Sequence, residues 1–173
     1  ILRATQIDLS GAQIGGRSIA ITADTADLTL SGATLSARSA LDIKAAATVR
    51  TDRAHVSADQ LNLSAHDLST RQGQVLQLGT GDFTLQLPGT LDNRDGRIAT
   101  NSRNVSISAN TLDITTGTLQ HAGTGTFSLT ADALTGSGAT LQSNGALDLA
   151  AHQLTLDHAT TTANALRLTA QTF

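Results

Sequence analysis

The sequence has no cysteine, methionine, tryptophan, tyrosine or glutamate, and only one proline and three phenylalanines. Without cysteine, disulfide scaffolds, thiolate metal sites, iron–sulfur clusters and cysteine nucleophiles are excluded. All 14 acidic residues are aspartate, and Lys44 is the sole lysine among 11 basic residues. Losing Glu, Met and nearly all Lys removes much of the helix-forming vocabulary and argues against a helical bundle. Charged residues make up 14% of the chain, against about 25% in ordinary proteins. The net charge of −3 comes without basic stripes, so there is no electrostatic footprint for nucleic acid. No apolar run approaches the ~18 residues of a membrane-spanning helix. No basic segment with an apolar core follows Ile1, so no signal peptide is expected in these residues.

What is present is Thr, Ser, Asp, Asn and 15 glycines, the vocabulary of strands and turns. Large apolar residues recur in pairs separated by one residue: Ile19/Ile21, Leu41/Ile43, Leu61/Leu63, Phe83/Leu85, Val105/Ile107, Phe127/Leu129, Leu147/Leu149 and Leu166/Leu168. Successive pairs lie 19 to 22 residues apart. A second ladder runs through Leu28, Val49, Leu68, Leu91, Leu112, Leu134 and Leu154. A third follows through Leu35, Val56, Val75, Ile98, Leu119, Leu141 and Thr161, and Ile7, Leu9 and Ile14 form a partial repeat before these.

Each pair sends two large side chains to one face of a short strand. No segment of ~10 residues shows the helical period of a crossover helix. Parallel strands without helices imply an all-β fold, a parallel β-solenoid of about eight coils of roughly 21 residues. Residues 1–173 are expected to form one repeat segment, an internal excerpt of a longer chain. Stacking would bury each ladder between the coils above and below, while the intervening polar residues face water. Ala23, Ala45, Ala65, Ala109, Ala131, Ala151 and Ala170 follow the first pair as small inward residues at a corner. Residues 74–88 carry more apolar positions than one coil holds, which predicts a hairpin bulging around Gly79-Thr80-Gly81. Pro88 cannot donate to a ladder and should mark a corner.

Candidate chemistry is sparse. His55, His66, His121, His152 and His158 lack zinc-ligand spacing and read as solvated turn residues. The aspartates are dispersed one or two per coil with no adjacent pair for glycoside hydrolysis, and Asp8, Asp42 and Asp148 fall between inward residues. Gly79-Thr80-Gly81 and Gly123-Thr124-Gly125 lack the further glycine and helix of a phosphate cradle. Asn93 reads as a corner residue whose amide bonds neighbouring backbone. The threonine pairs Thr116/Thr118 and Thr124/Thr126 are not expected to align on successive coils as a regular array would. No catalytic, metal or cofactor-binding residues are assigned. Arg50 and Arg53 are the candidate surface-binding residues.

The run Gly89-Thr90-Leu91-Asp92-Asn93-Arg94-Asp95-Gly96-Arg97-Ile98-Ala99-Thr100, continuing as Val105-Ser106-Ile107-Ser108-Ala109, resembles the filamentous-haemagglutinin repeat. The pattern recurs, blurred, in residues 117–131 and 140–151, and departs furthest in the first two coils. The resemblance implies a right-handed parallel β-helical shaft within a large secreted Gram-negative adhesin or contact-dependent growth-inhibition exoprotein. It implies export through an outer-membrane transporter partner and a place outside the cell or on its surface. The function it implies is a non-enzymatic shaft that projects a distal binding or toxin region. The alternative is a receptor- or glycan-binding module on the β-helix surface.

Overall fold

In a computed structural model that describes residues 1–172, the chain is a stack of short strands, all paired in parallel. No helix occurs among the described residues. The strands form two hydrogen-bonded sheets, of ten and nine strands, that run the length of the stack. Each coil contributes three short strands separated by corners. In the early coils two of these merge, as in Thr34–Ala45, where the register shifts between Ala37 and Ala40. In later coils a different two merge, as in Phe83–Asp92, which shifts between Leu87 and Thr90. Pro88 and Gly89 occupy that shift, so Pro88 marks a corner as expected.

The register reproduces the ladders. Leu28, Val49, Leu68, Leu91, Leu112, Leu134 and Leu154 pair in succession. So do Leu35, Val56, Val75, Ile98, Leu119, Leu141 and Thr161. These columns form one hydrophobic core, with Leu28, Leu35, Leu41, Leu91, Leu112 and Leu119 fully buried. Each such side chain contributes about 1.5–3 kcal/mol on burial. One coil alone shields none of them, so stability is a property of neighbouring coils taken together.

The first ladder is interrupted. Ile19, Leu41 and Leu61 pair in one sheet, whereas Phe83, Val105, Phe127, Leu147 and Leu166 pair in the other. The strands on either side of the gap still lie alongside each other. The predicted hairpin is absent here. Gln74–Gln77 pairs in parallel on both sides, and residues 79–81 are a bend within one coil. The surplus apolar residues are accommodated by turning Leu76 and Leu78 outward, Leu78 remaining 54% exposed.

One corner has the same left-handed backbone residue in every coil: Gly11, Gly32, Arg53, Gln72, Asp95, Thr116, Gly138 and His158, with φ between 55° and 69°. These eight positions mark eight coils. Five are not glycine, although L side chains take this conformation only at a steric cost of about 1–2 kcal/mol.

At several corners aspartate fits where glutamate would not. Short carboxylates and amides accept backbone N–H groups from the next coil: Asp27 from Thr48 (3.1 Å), Asp52 from Arg71 (3.0 Å), Asp67 from Thr90 (2.6 Å), Asp82 from Asn104 (3.1 Å) and Asn104 from Thr126 (3.2 Å). Asp8, Asp92 and Asp113 instead close turns onto the N–H two residues on, as short side chains do. An extra methylene would overshoot either arrangement.

Candidate functional site

The sequence-selected arginines occupy two neighbouring surfaces. Arg50 lies outward on the strand Thr48–Arg50, and its Nη2 sits 3.3 Å from Asp27 Oδ2. Arg53 stands at the left-handed corner position, exposed. It lines a groove of about 390 Å³ with Asp52, Arg71, Gln72, Arg94 and Asp95.

Beside this groove, charges of alternating sign climb the coils. Arg71 lies 3.6 Å from both Asp52 and Asp92. Arg94 lies 2.7 Å from Asp92 and 3.5 Å from Asp113. Burial pushes the Asp92 carboxyl up, but the Arg94 side chain and N–H, with Arg71, outweigh it and hold it below the usual carboxylate range. Asp67 behaves alike: its burial is outweighed by the Thr90 N–H and by His66. Reading the sequence for pairs one coil apart, rather than for local clusters, would have found Arg71, Asp92, Arg94 and Asp113.

The interior holds polar residues that sequence reading turned outward. Thr51, Ser69, Thr70, Gln77, Thr100, Ser102, His121 and Ser143 are buried, which corrects the expectation that polar residues between ladder positions face water. His121, expected to be a solvated turn residue, is fully buried against Phe127 with ring centroids 5.8 Å apart. Its Nε2 faces the carbonyl oxygens of Ser102 (2.9 Å) and Arg103 (3.2 Å) and therefore carries the hydrogen. Its Nδ1 accepts from the Ser143 hydroxyl at 3.0 Å. Gly123 permits this approach, since a Cβ there would meet the Ser102 carbonyl oxygen at 1.9 Å. The Gly123-Thr124-Gly125 motif is thus a packing feature. His55, His66, His152 and His158 are exposed.

Gln77 bridges the gap in the first ladder. Its Oε1 accepts the Leu61 N–H at 3.0 Å, and its Nε2 donates to the Gly81 carbonyl at 2.6 Å and to Ser102 Oγ at 2.9 Å. Asn93 is the corner residue expected: its Nδ2 donates to the Gly96 carbonyl at 3.4 Å, and its Oδ1 accepts from Thr70 Oγ1 at 2.6 Å. Thr100 Oγ1 alone among the described buried side-chain atoms has no partner.

Other candidates assemble less. No group of three or more metal-ligating side chains occurs among the described residues. Thr126 pairs with Ala146, so that threonine pair does not continue on the next coil, yet Thr118, Thr140 and Thr160 do stack in register. Leu76, Leu78, Ala99 and Ala122 line a shallow outer groove with Arg97 and Gln120.

A Toxin CdiA of Yersinia pestis is 38% identical to this chain over 122 residues. The match covers 70% of this chain and 4% of that protein, so the chain spans a small fraction of its relative's length. No family model matches the chain, and no solved structure matches it.

Proposed function

We propose that this chain, whose coils are of the filamentous-haemagglutinin and contact-dependent-inhibition repeat type, is a structural shaft segment of a large secreted exoprotein. Its work is mechanical and non-enzymatic: it holds a distal binding or toxin region away from the producing cell. The parent chain is exported through an outer-membrane transporter partner and resides outside a Gram-negative cell or on its surface. Residues 1–173 serve as one continuous segment of it.

The observation that supports this most is the continuous parallel strand pairing from Leu2 to Thr172, with two apolar columns in register from Ile7 to Leu154 and from Ile14 to Leu141. Such a stack resists bending because tilting one coil opens the core on one side. At ~4.8 Å per coil, eight coils span roughly 40 Å. The alternative, receptor or glycan binding by Arg50 and Arg53, is weakened by the partnering of Arg50 with Asp27.

The test removes whole coils from the intact exoprotein. Deleting residues 83–126, two coils, should shorten the projection by about 10 Å and leave distal activity in place. Deleting about half a coil should disrupt folding. Loss of distal activity on replacing Arg50 and Arg53 with alanine, with the fold intact, would overturn the shaft reading in favour of direct recognition.

A further inference from the structure

We infer that the corner bearing Arg53, Gln72 and Asp95 is a self-association edge on which a second copy of this chain docks antiparallel. These three residues occupy the same corner position in three consecutive coils and are all exposed. Read along the stack the row is positive, neutral, negative. A copy turned end for end about a two-fold axis through Gln72 presents the reverse order. Arg53 of each copy then faces Asp95 of the other, and Gln72 meets Gln72, whose amide both donates and accepts. An isologous interface requires this property, that residue i meets j while j meets i.

The adjoining row obeys the same symmetry. Asp52, Arg71 and Arg94 sit one residue earlier in the same coils and line the same groove. About the same axis, Asp52 of one copy faces Arg94 of the other. Arg71 meets its own mate, but each Arg71 lies 3.6 Å from both Asp52 and Asp92, which offset its charge. Beyond the charged coils, small residues oppose one another: Gly32 faces Thr116, and Gly11 faces Gly138. The flanks therefore allow close approach where the centre supplies attraction.

The left-handed corner holds the three side chains of the row in equivalent places. Glycine holds this left-handed position in three of the eight coils, whereas Arg53, Gln72 and Asp95 hold φ of 55–56°. The three coils of the self-complementary row thus carry polar side chains at a sterically disfavoured position, as Thr116 and His158 do beyond it. The edge is independent of the shaft reading, because it is defined by this segment alone.

The cysteine-free chain makes the test direct. Gln72→Cys places a single thiol on the proposed axis, and His158→Cys places one at a corner that faces no corner residue of the partner. Under mild oxidation, Gln72→Cys should form disulfide dimers about tenfold faster. Within the Gln72→Cys background, Arg53→Asp or Asp95→Arg converts two symmetry-related exposed ion pairs into repulsions and should slow dimer formation by about tenfold. Mixing those two variants restores both pairs, so mixed dimers, identified by mass, should form at the unreversed rate. Equal rates for the two cysteine positions, no effect of charge reversal, or no rescue on mixing would each overturn the proposal. Any of those results leaves the groove to another occupant.

Discussion

Replacing Gln77 tests whether a buried side chain carries the join between the two halves of the first ladder. The residue is 1% exposed, and it satisfies the Leu61 N–H, the Gly81 carbonyl and Ser102 Oγ. Gln77→Leu keeps most of the volume and removes all three bonds. Gly81 is exposed and regains water, whereas Leu61 and Ser102 lie in the interior. Two buried polar groups left unpaired cost about 1–3 kcal/mol each, so the variant should lose roughly 2–6 kcal/mol. Urea unfolding followed by far-ultraviolet circular dichroism measures the loss. Amide hydrogen exchange locates it: Leu61 should lose protection before Leu119, which sits in an uninterrupted column. A Gln77→Leu protein as stable as the parent, with Leu61 still protected, would show that the bridge is dispensable and refute the reasoning.

Three further predictions concern the corners and the core. Thr116→Gly should change stability little or raise it by up to about 1 kcal/mol, because it relieves a β-branched residue at φ 55° while losing a hydroxyl bond to Asp95; Gly32→Val, at φ 67°, should cost about 1–2 kcal/mol, and thermal unfolding of both checks the contrast. Phe127→Ala empties a site packed between Val105 and Leu147 and should cost about 3–5 kcal/mol in urea. Asp92 has a depressed folded-state pKa, so its stabilisation is present above the ordinary carboxylate value of about 3.9 and is lost as pH falls through the lower folded value. Asp92→Asn should therefore be less stable at neutral pH and show a shallower acid limb in pH-dependent unfolding, and an unchanged acid limb would contradict the pairing with Arg94 and Arg71.

Periodicity made the columns legible because burial in a stack leaves one apolar residue per coil at each inward position. Leu91 and Leu112 could be matched from spacing alone, and coil number followed. The interior polar residues were not legible, since Gln77 and His121 carry no local mark that distinguishes an inward polar side chain from an outward one. Their partners, Leu61, Ser102 and Ser143, lie 16 to 25 residues away. The supposed hairpin failed for a related reason. Leu76 and Leu78 alternate with Val75 and Gln77, and apolar character suggested that the leucines faced inward, whereas the strand buries Val75 and Gln77. The left-handed corner was only partly visible: Gly11, Gly32 and Gly138 hint at it, while Arg53, Gln72, Asp95, Thr116 and His158 conceal it. The charged groove followed that concealment, because Arg53 was noticed without Arg71 and Arg94, its neighbours one and two coils on.

Parallel in-register stacking is the premise on which the shaft, the bridge and the self-association edge all depend. Nuclear Overhauser contacts between amide and α protons of facing strands test it most directly. Stacked coils require contacts linking the Ile98 strand to that of Leu119, and the Leu119 strand to that of Leu141, repeating along the chain at separations of 19 to 23 residues. Contacts in an antiparallel pattern within residues 74–88, or the absence of the coil-to-coil series, would contradict the account.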